Sequence, residues 1–153
     1  MESSTPARVL VVAHRTAATA GLGDAVRRRA SEGPATFTLL VPRSAHGLHR
    51  LMDPEEADVA EAQEILDRAL PILSSAAGSP VDGMIGDPTP LTAVEDTINA
   101  RPFDEIIIST LPALVSRWLR LDLPSKVGGL GLPVTTVTAT EEPAASEPAT
   151  VAG

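Results

Sequence analysis

Apolar residues fall along this chain in two ways: as short unbroken blocks, and as stretches in which Leu, Ile, Val and Ala return every three or four positions. Residues 9–13 and 106–108 are of the first kind, and residues 36–41 predict a further strand between them. Such runs suit strands covered on both faces, whereas a half-exposed strand alternates apolar with polar. Residues 81–85 predict a short, weak strand, and the β-branched run of residues 134–137 predicts a last one. Between them, Leu22, Ala25, Val26 and Ala30 predict a first helix with Thr16 or Thr19 as its cap. Ala62, Ile65, Leu66, Ala69, Leu70 and Leu73 predict a long second helix starting at Asp53, Pro54 and Glu55, and Pro71 predicts a kink or early end within it. Leu91, Val94, Ile98 and Ala100 predict a third, capped by Asp87. Leu111, Leu114, Val115, Trp118 and Leu119 predict a fourth, with Pro112 in its first turn. Gly128, Gly129 and Gly131 stop that helix before the last strand. The order β-α-β-α-β-α-β-α-β specifies an α/β fold, a doubly wound parallel sheet with helices on both faces.

Composition bounds the rest. A chain of 153 residues, 43% of them hydrophobic, fits one domain with a sizeable core. The expected boundaries are a frayed N-terminus over residues 1–7, the α/β domain over 8–138 and a disordered acidic tail over 139–153, whose small, acidic, proline-containing composition cannot bury enough to order itself. A net charge of -8 argues against nucleic acid or an anionic membrane as partner, because phosphate binding is driven by Lys and Arg. The absence of Cys excludes disulfides and thiolate chemistry. No apolar run reaches membrane-spanning length, so the expectation is a cytoplasmic protein.

Candidate chemistry is sparse. In parallel sheets ligands bind beyond the carboxyl ends of the strands, which directs attention to His14 and to the turn from Ser109 to Pro112. Ser109, Thr110 and the helix start at Pro112 could hold an anion with Arg117 or Arg120, but capping by Ser109 and Thr110 with solvated arginines is the plainer expectation. Arg27, Arg28 and Arg29 read as one solvent face of a helix. His46 and His49, with Asp53 or Glu56, lack diagnostic metal-ligand spacing, so the loop of residues 46–52 is expected to face a partner or act as a lid. Gly21 and Gly23 lack the third glycine of a dinucleotide fingerprint.

The VLVVAH opening, the Gly86-Asp87-Pro88 turn and the DEIIIS and LPVTTV segments resemble the universal stress protein family. The resemblance implies a five-stranded parallel sheet in the order 3-2-1-4-5 and a homodimer paired through the last strand, Val134 to Thr138. Many members bind ATP through a Gly-x-x-Gly, nine residues, Gly-Ser/Thr pattern, where bare backbone N–H groups can approach phosphate. Here Ser109, Pro112, Asp122 and Leu123 stand at those four positions, and His14 replaces the Asp at the end of the first strand. The sequence therefore reads as a non-catalytic, homodimeric regulatory or stress-response module without the glycine cradle, with no catalytic residue and no metal. A first alternative is a nucleotide sensor holding ATP, AMP or a cyclic nucleotide through His14, Val41, Ser109, Thr110 and Ser125. A second is a small hydrolase built on His14 and Ser109, although Ser109 sits in no nucleophile elbow.

Overall fold

The computed structural model describes residues 5–44, 54–112 and 116–139, with backbone alone at 54–57. Among these, β1 (Ala7–Val12), β2 (Ala35–Pro42), β3 (Asp82–Gly86), β4 (Glu105–Thr110) and β5 (Val134–Thr138) form one parallel sheet in the order β3-β2-β1-β4-β5. The expected topology is the observed one. Its helices are α1 (Ala20–Ser31), α2 (Pro54–Ala77), α3 (Pro90–Ala100), α4 (Arg117–Arg120) and α5 (Leu123–Gly128).

Side chains alternate across a strand, so each unbroken apolar run feeds two cores. Val9, Val11, Leu39, Val41 and Ile107 pack with Leu22 and Val26 of α1 and Leu66 and Leu73 of α2. Leu10, Val12, Leu40, Ile106 and Ile108 pack on the opposite face with Val94 of α3 and Leu123 and Val127 of α5. The crossovers after β1 and β2 thus cover one face and those after β3 and β4 the other. The change of side falls between the neighbouring strands β1 and β4, where such sheets leave a crevice.

Local chemistry differs from the sequence reading in several places. Helix α2 does not end early at Pro71 but continues to Ala77. Leu73 and Ala76 are buried beyond the proline, and the Val81 N–H donates to Ser74 Oγ at 3.0 Å, so packing and the start of β3 hold the last turns. Thr19 caps α1, its Oγ1 accepting from the Leu22 N–H at 3.3 Å. The N-cap of α3 is Thr89 and not Asp87, whose carboxylate accepts from the Thr89 N–H at 2.8 Å in the preceding turn. Among the described residues Ser109 and Thr110 cap no helix; they are buried residues of β4.

The single helix expected from Pro112 is replaced by two short ones. Ser116 caps α4, accepting from the Leu119 N–H at 3.1 Å, and the chain then turns through Asp122 at φ 57° into α5. Leu114 and Val115 lie outside the described residues, as do His46, His49, Asp53, the rest of the 46–52 loop, the Glu56 side chain and residues 140–153. Ala139 is described: it is buried, and its N–H donates to the Thr110 carbonyl at 2.8 Å. Arg29 also departs from the solvent-face reading, for its side chain is only 18% exposed and its guanidinium donates to both carboxylate oxygens of Glu105, at 2.7 and 3.2 Å. Among the described residues no helix is long and apolar enough to cross a membrane, and no group of three or more His, Asp or Glu is placed to hold a metal ion.

Candidate functional site

A cleft of about 590 Å³ lies over the carboxyl ends of β1, β2 and β4. His14, Arg15 and Thr16 enter from the segment after β1, Arg43 and Ser44 from the end of β2, and Pro88, Thr89 and Pro90 from the start of α3. Arg117 and Trp118 of α4 close the far side.

Strand alternation sends the two last residues of β4 to opposite sides of this cleft. Ser109 shares the face of Ile107, toward α1, and its hydroxyl lies 2.6 Å from that of Thr16 in a buried pair that ties β4 to the segment after β1. Thr110 shares the face of Ile108, toward α3 and α5. It is only 2% exposed, and its Oγ1 has no hydrogen-bond partner among the described residues. A buried hydroxyl left unpaired costs about 1–3 kcal/mol, so such groups are rare.

On the other side a chain of hydrogen bonds runs from imidazole to carboxylate. Ser44 Oγ donates to Glu61 Oε1 at 2.7 Å and lies 3.1 Å from His14 Nε2. A serine has one hydroxyl hydrogen, and Glu61 takes it; His14 must therefore donate from Nε2, which fixes a proton on that nitrogen. The electrostatics of the cleft run against those of the chain. A protein of net charge -8 lines it with Arg15, Arg43 and Arg117 and, among the described residues, with the one carboxylate of Glu61. Low-dielectric walls focus such a field on an incoming anion. The remaining wall is apolar, from Pro42, Pro88, Pro90, Leu111, Leu121 and Trp118, the only tryptophan in the sequence.

Of the residues singled out in the sequence, His14, Ser109 and Thr110 line the cleft. Val41 is fully buried in the core on the α1–α2 face, and the adjoining Pro42 lines the cleft instead. Ser125 is exposed on α5 and does not line it. His14 is hydrogen-bonded with Ser44, and Ser109 with Thr16. Arg15 and Arg43 were open to discovery, since each follows a buried strand at the end where ligands bind. Glu61 was not, because nothing in an α2 helical pattern marks one carboxylate as facing Ser44. Where the glycine pattern would stand, Asp122 keeps a left-handed conformation that glycine adopts freely, while Leu123 is buried in the core.

Solved structures share this architecture over nearly its whole length. The universal stress protein UspA of Lactobacillus plantarum matches 88% of this chain and 99% of its own, with 18% identity and a TM-score of 0.62. The fold is that of the universal stress proteins. A member of that family from Burkholderia pseudomallei matches 90% of this chain and 100% of its own, with 14% identity and a TM-score of 0.63. The universal stress protein of Archaeoglobus fulgidus, solved in complex with dAMP, matches 87% of this chain and 98% of its own, with 19% identity and a TM-score of 0.54. At such identities the likeness to universal stress proteins is one of fold. No family model matches the sequence, and no curated protein matches it.

Proposed function

We propose that this is a cytoplasmic, non-catalytic regulatory module with a universal stress protein fold, whose cleft binds a nucleotide of the ATP, AMP or cyclic-nucleotide class through side chains and not through a glycine cradle. One observation carries the reading: an acidic chain gathers three arginines around an apolar, tryptophan-bearing cleft at the switch point of its sheet. Guanidinium groups recognise phosphate by charge-assisted hydrogen bonds, and a flat apolar wall suits a planar base. A universal stress protein of Archaeoglobus fulgidus with the same fold is solved in complex with dAMP, which supports a nucleotide as the ligand. His14 supports the absence of catalysis, since it donates to Ser44 and is not set as a base on Ser109.

Because Trp118 is the only tryptophan and lines the cleft, its fluorescence reports occupancy directly. Titration with AMP, ATP and cyclic AMP, with and without magnesium, is expected to give a saturable change for at least one of them. Arg117→Ala should weaken that ligand by roughly tenfold or more, the loss of one charge-assisted hydrogen bond. A flat titration with all of them, together with no rise in melting temperature, would overturn the reading. A homodimer through β5 belongs to the same proposal, because β5 stands at one edge of the sheet with Thr135, Thr136 and Thr138 exposed.

A further inference from the structure

The chain leaves the sheet at the margin of the cleft. Ala139, the residue after β5, is buried, and its N–H donates to the Thr110 carbonyl at 2.8 Å, which carries the β4–β5 ladder on by one bond. On its other side Ala139 meets the start of α1, where a Cβ on Gly21 would stand 3.0 Å from the Ala139 Cβ, so the bare backbone there lets the chain lie close. Thr110 lines the cleft, as do Arg15 and Thr16 from the segment that leads into α1. Two fixed contacts thus set the point from which the last residues depart.

What departs is acidic. Residues 140–153 begin Thr140-Glu141-Glu142-Pro143 and include Glu147, with no Lys or Arg among them. Extended chain spans at most about 3.6 Å per residue, so Glu142 is tethered within about 11 Å of Ala139. The cleft has the opposite balance, with Arg15, Arg43 and Arg117 against the carboxylate of Glu61, and Arg15 and Arg117 are exposed. A carboxylate offers a guanidinium the same paired acceptor oxygens as a phosphate does. Tethering on a short linker presents it at an effective concentration in the millimolar range.

We propose that Glu141 and Glu142 are a built-in occupant of the arginine-lined cleft, which a nucleotide must displace in order to bind. The inference rests on the nucleotide reading above for what is displaced; the contact itself needs only the tether and the charges. It makes the tail a regulator of the site, one that sets a threshold of ligand concentration and loosens as salt screens the pairing.

The full chain is compared with a variant carrying Glu141→Gln, Glu142→Gln and Glu147→Gln. A control carries Glu32→Gln, Glu64→Gln and Asp67→Asn, which removes as much charge from exposed positions outside the cleft. Quenching of Trp118 by acrylamide, a neutral probe, is measured without ligand at low and high salt, and AMP, ATP and cyclic AMP are then titrated by Trp118 fluorescence. Exposed ion pairs are individually weak, so the tail variant is expected to bind nucleotide about threefold or more tightly than the parent, with Trp118 more open to acrylamide. The control should match the parent in both, and high salt should open Trp118 in the parent toward the level of the tail variant. Equal quenching of parent and tail variant overturns the proposal, as does equal nucleotide affinity, or a control that changes as much as the tail variant. If no form of the protein binds any of the three nucleotides, the nucleotide reading fails by itself, and quenching alone decides the tail contact.

Discussion

Asp104 precedes β4 by one residue and accepts from Arg8 three times, from the backbone N–H at 2.8 Å and from the guanidinium twice at 3.1 Å. The side-chain hydrogen bonds with Arg8, followed by that from the backbone, hold the Asp104 carboxyl below its ordinary range, and the same pairing raises Arg8. A carboxyl whose value is lower in the folded than in the unfolded chain contributes stability above the unfolded value and loses it as pH falls through the folded one. Asp104→Asn is therefore predicted to melt below the parent at neutral pH, with the gap closing as both are taken down through the acid range; parallel melts across pH check it. A gap that persists unchanged in acid would assign the effect to geometry and not to charge. Residues of this kind were partly legible. His14 stood out because it follows a buried strand, while the Ser44–Glu61 bond joins a residue after β2 to one within α2 and has no local signature.

Gly86 shows why one element needs a particular residue in another. A Cβ there would stand 2.8 Å from the Ala93 Cβ of α3 and 2.8 Å from Leu40 Cδ1, closer than side chains pack. The bare backbone is what allows α3 to start hard against β3, which in turn places Thr89 and Pro90 in the cleft. Gly86→Ala is predicted to cost about 1–3 kcal/mol in denaturant unfolding, the cost of overpacking, and to weaken nucleotide binding by moving the α3 start. Helix α1 gives a second contrast. Arg29, mostly buried and bidentate to Glu105, should cost about 1–2 kcal/mol when changed to Ala, whereas the exposed Arg27, paired with Asp24, should cost under about 0.5 kcal/mol. Equal effects in the same unfolding experiment would refute that ranking. Periodicity could not separate the three arginines, since burial of Arg29 depends on where β4 begins. It also merged α4 and α5, because Leu111, Leu114, Val115, Trp118 and Leu119 fit one helical face, while the Ser116 cap and the left-handed Asp122 impose two helices.

At the scale of the molecule, the open question is what covers the outer edge of β5. An edge strand with unpaired backbone groups is a template for pairing, and a second copy of β5 is the proposed cover. Light scattering at tens of micromolar, on the order of ordinary assay concentrations, is predicted to give twice the chain mass, and Thr136→Pro to give the monomer by removing a ladder donor. A parent that scatters as a monomer would sink the dimer. The sequence by itself determined the order and type of the main elements and the doubly wound architecture, because period-two and period-3.6 burial, glycine and proline punctuation and unbroken β-branched runs are local properties of a chain. Only the tertiary structure decided that Ser109 and Thr110 turn to opposite sides of one cleft, that three arginines from separate segments meet around Trp118, and that Thr110 Oγ1 has no hydrogen-bond partner among the described residues. Those facts depend on register and on distances between residues far apart in the chain, which no local pattern encodes.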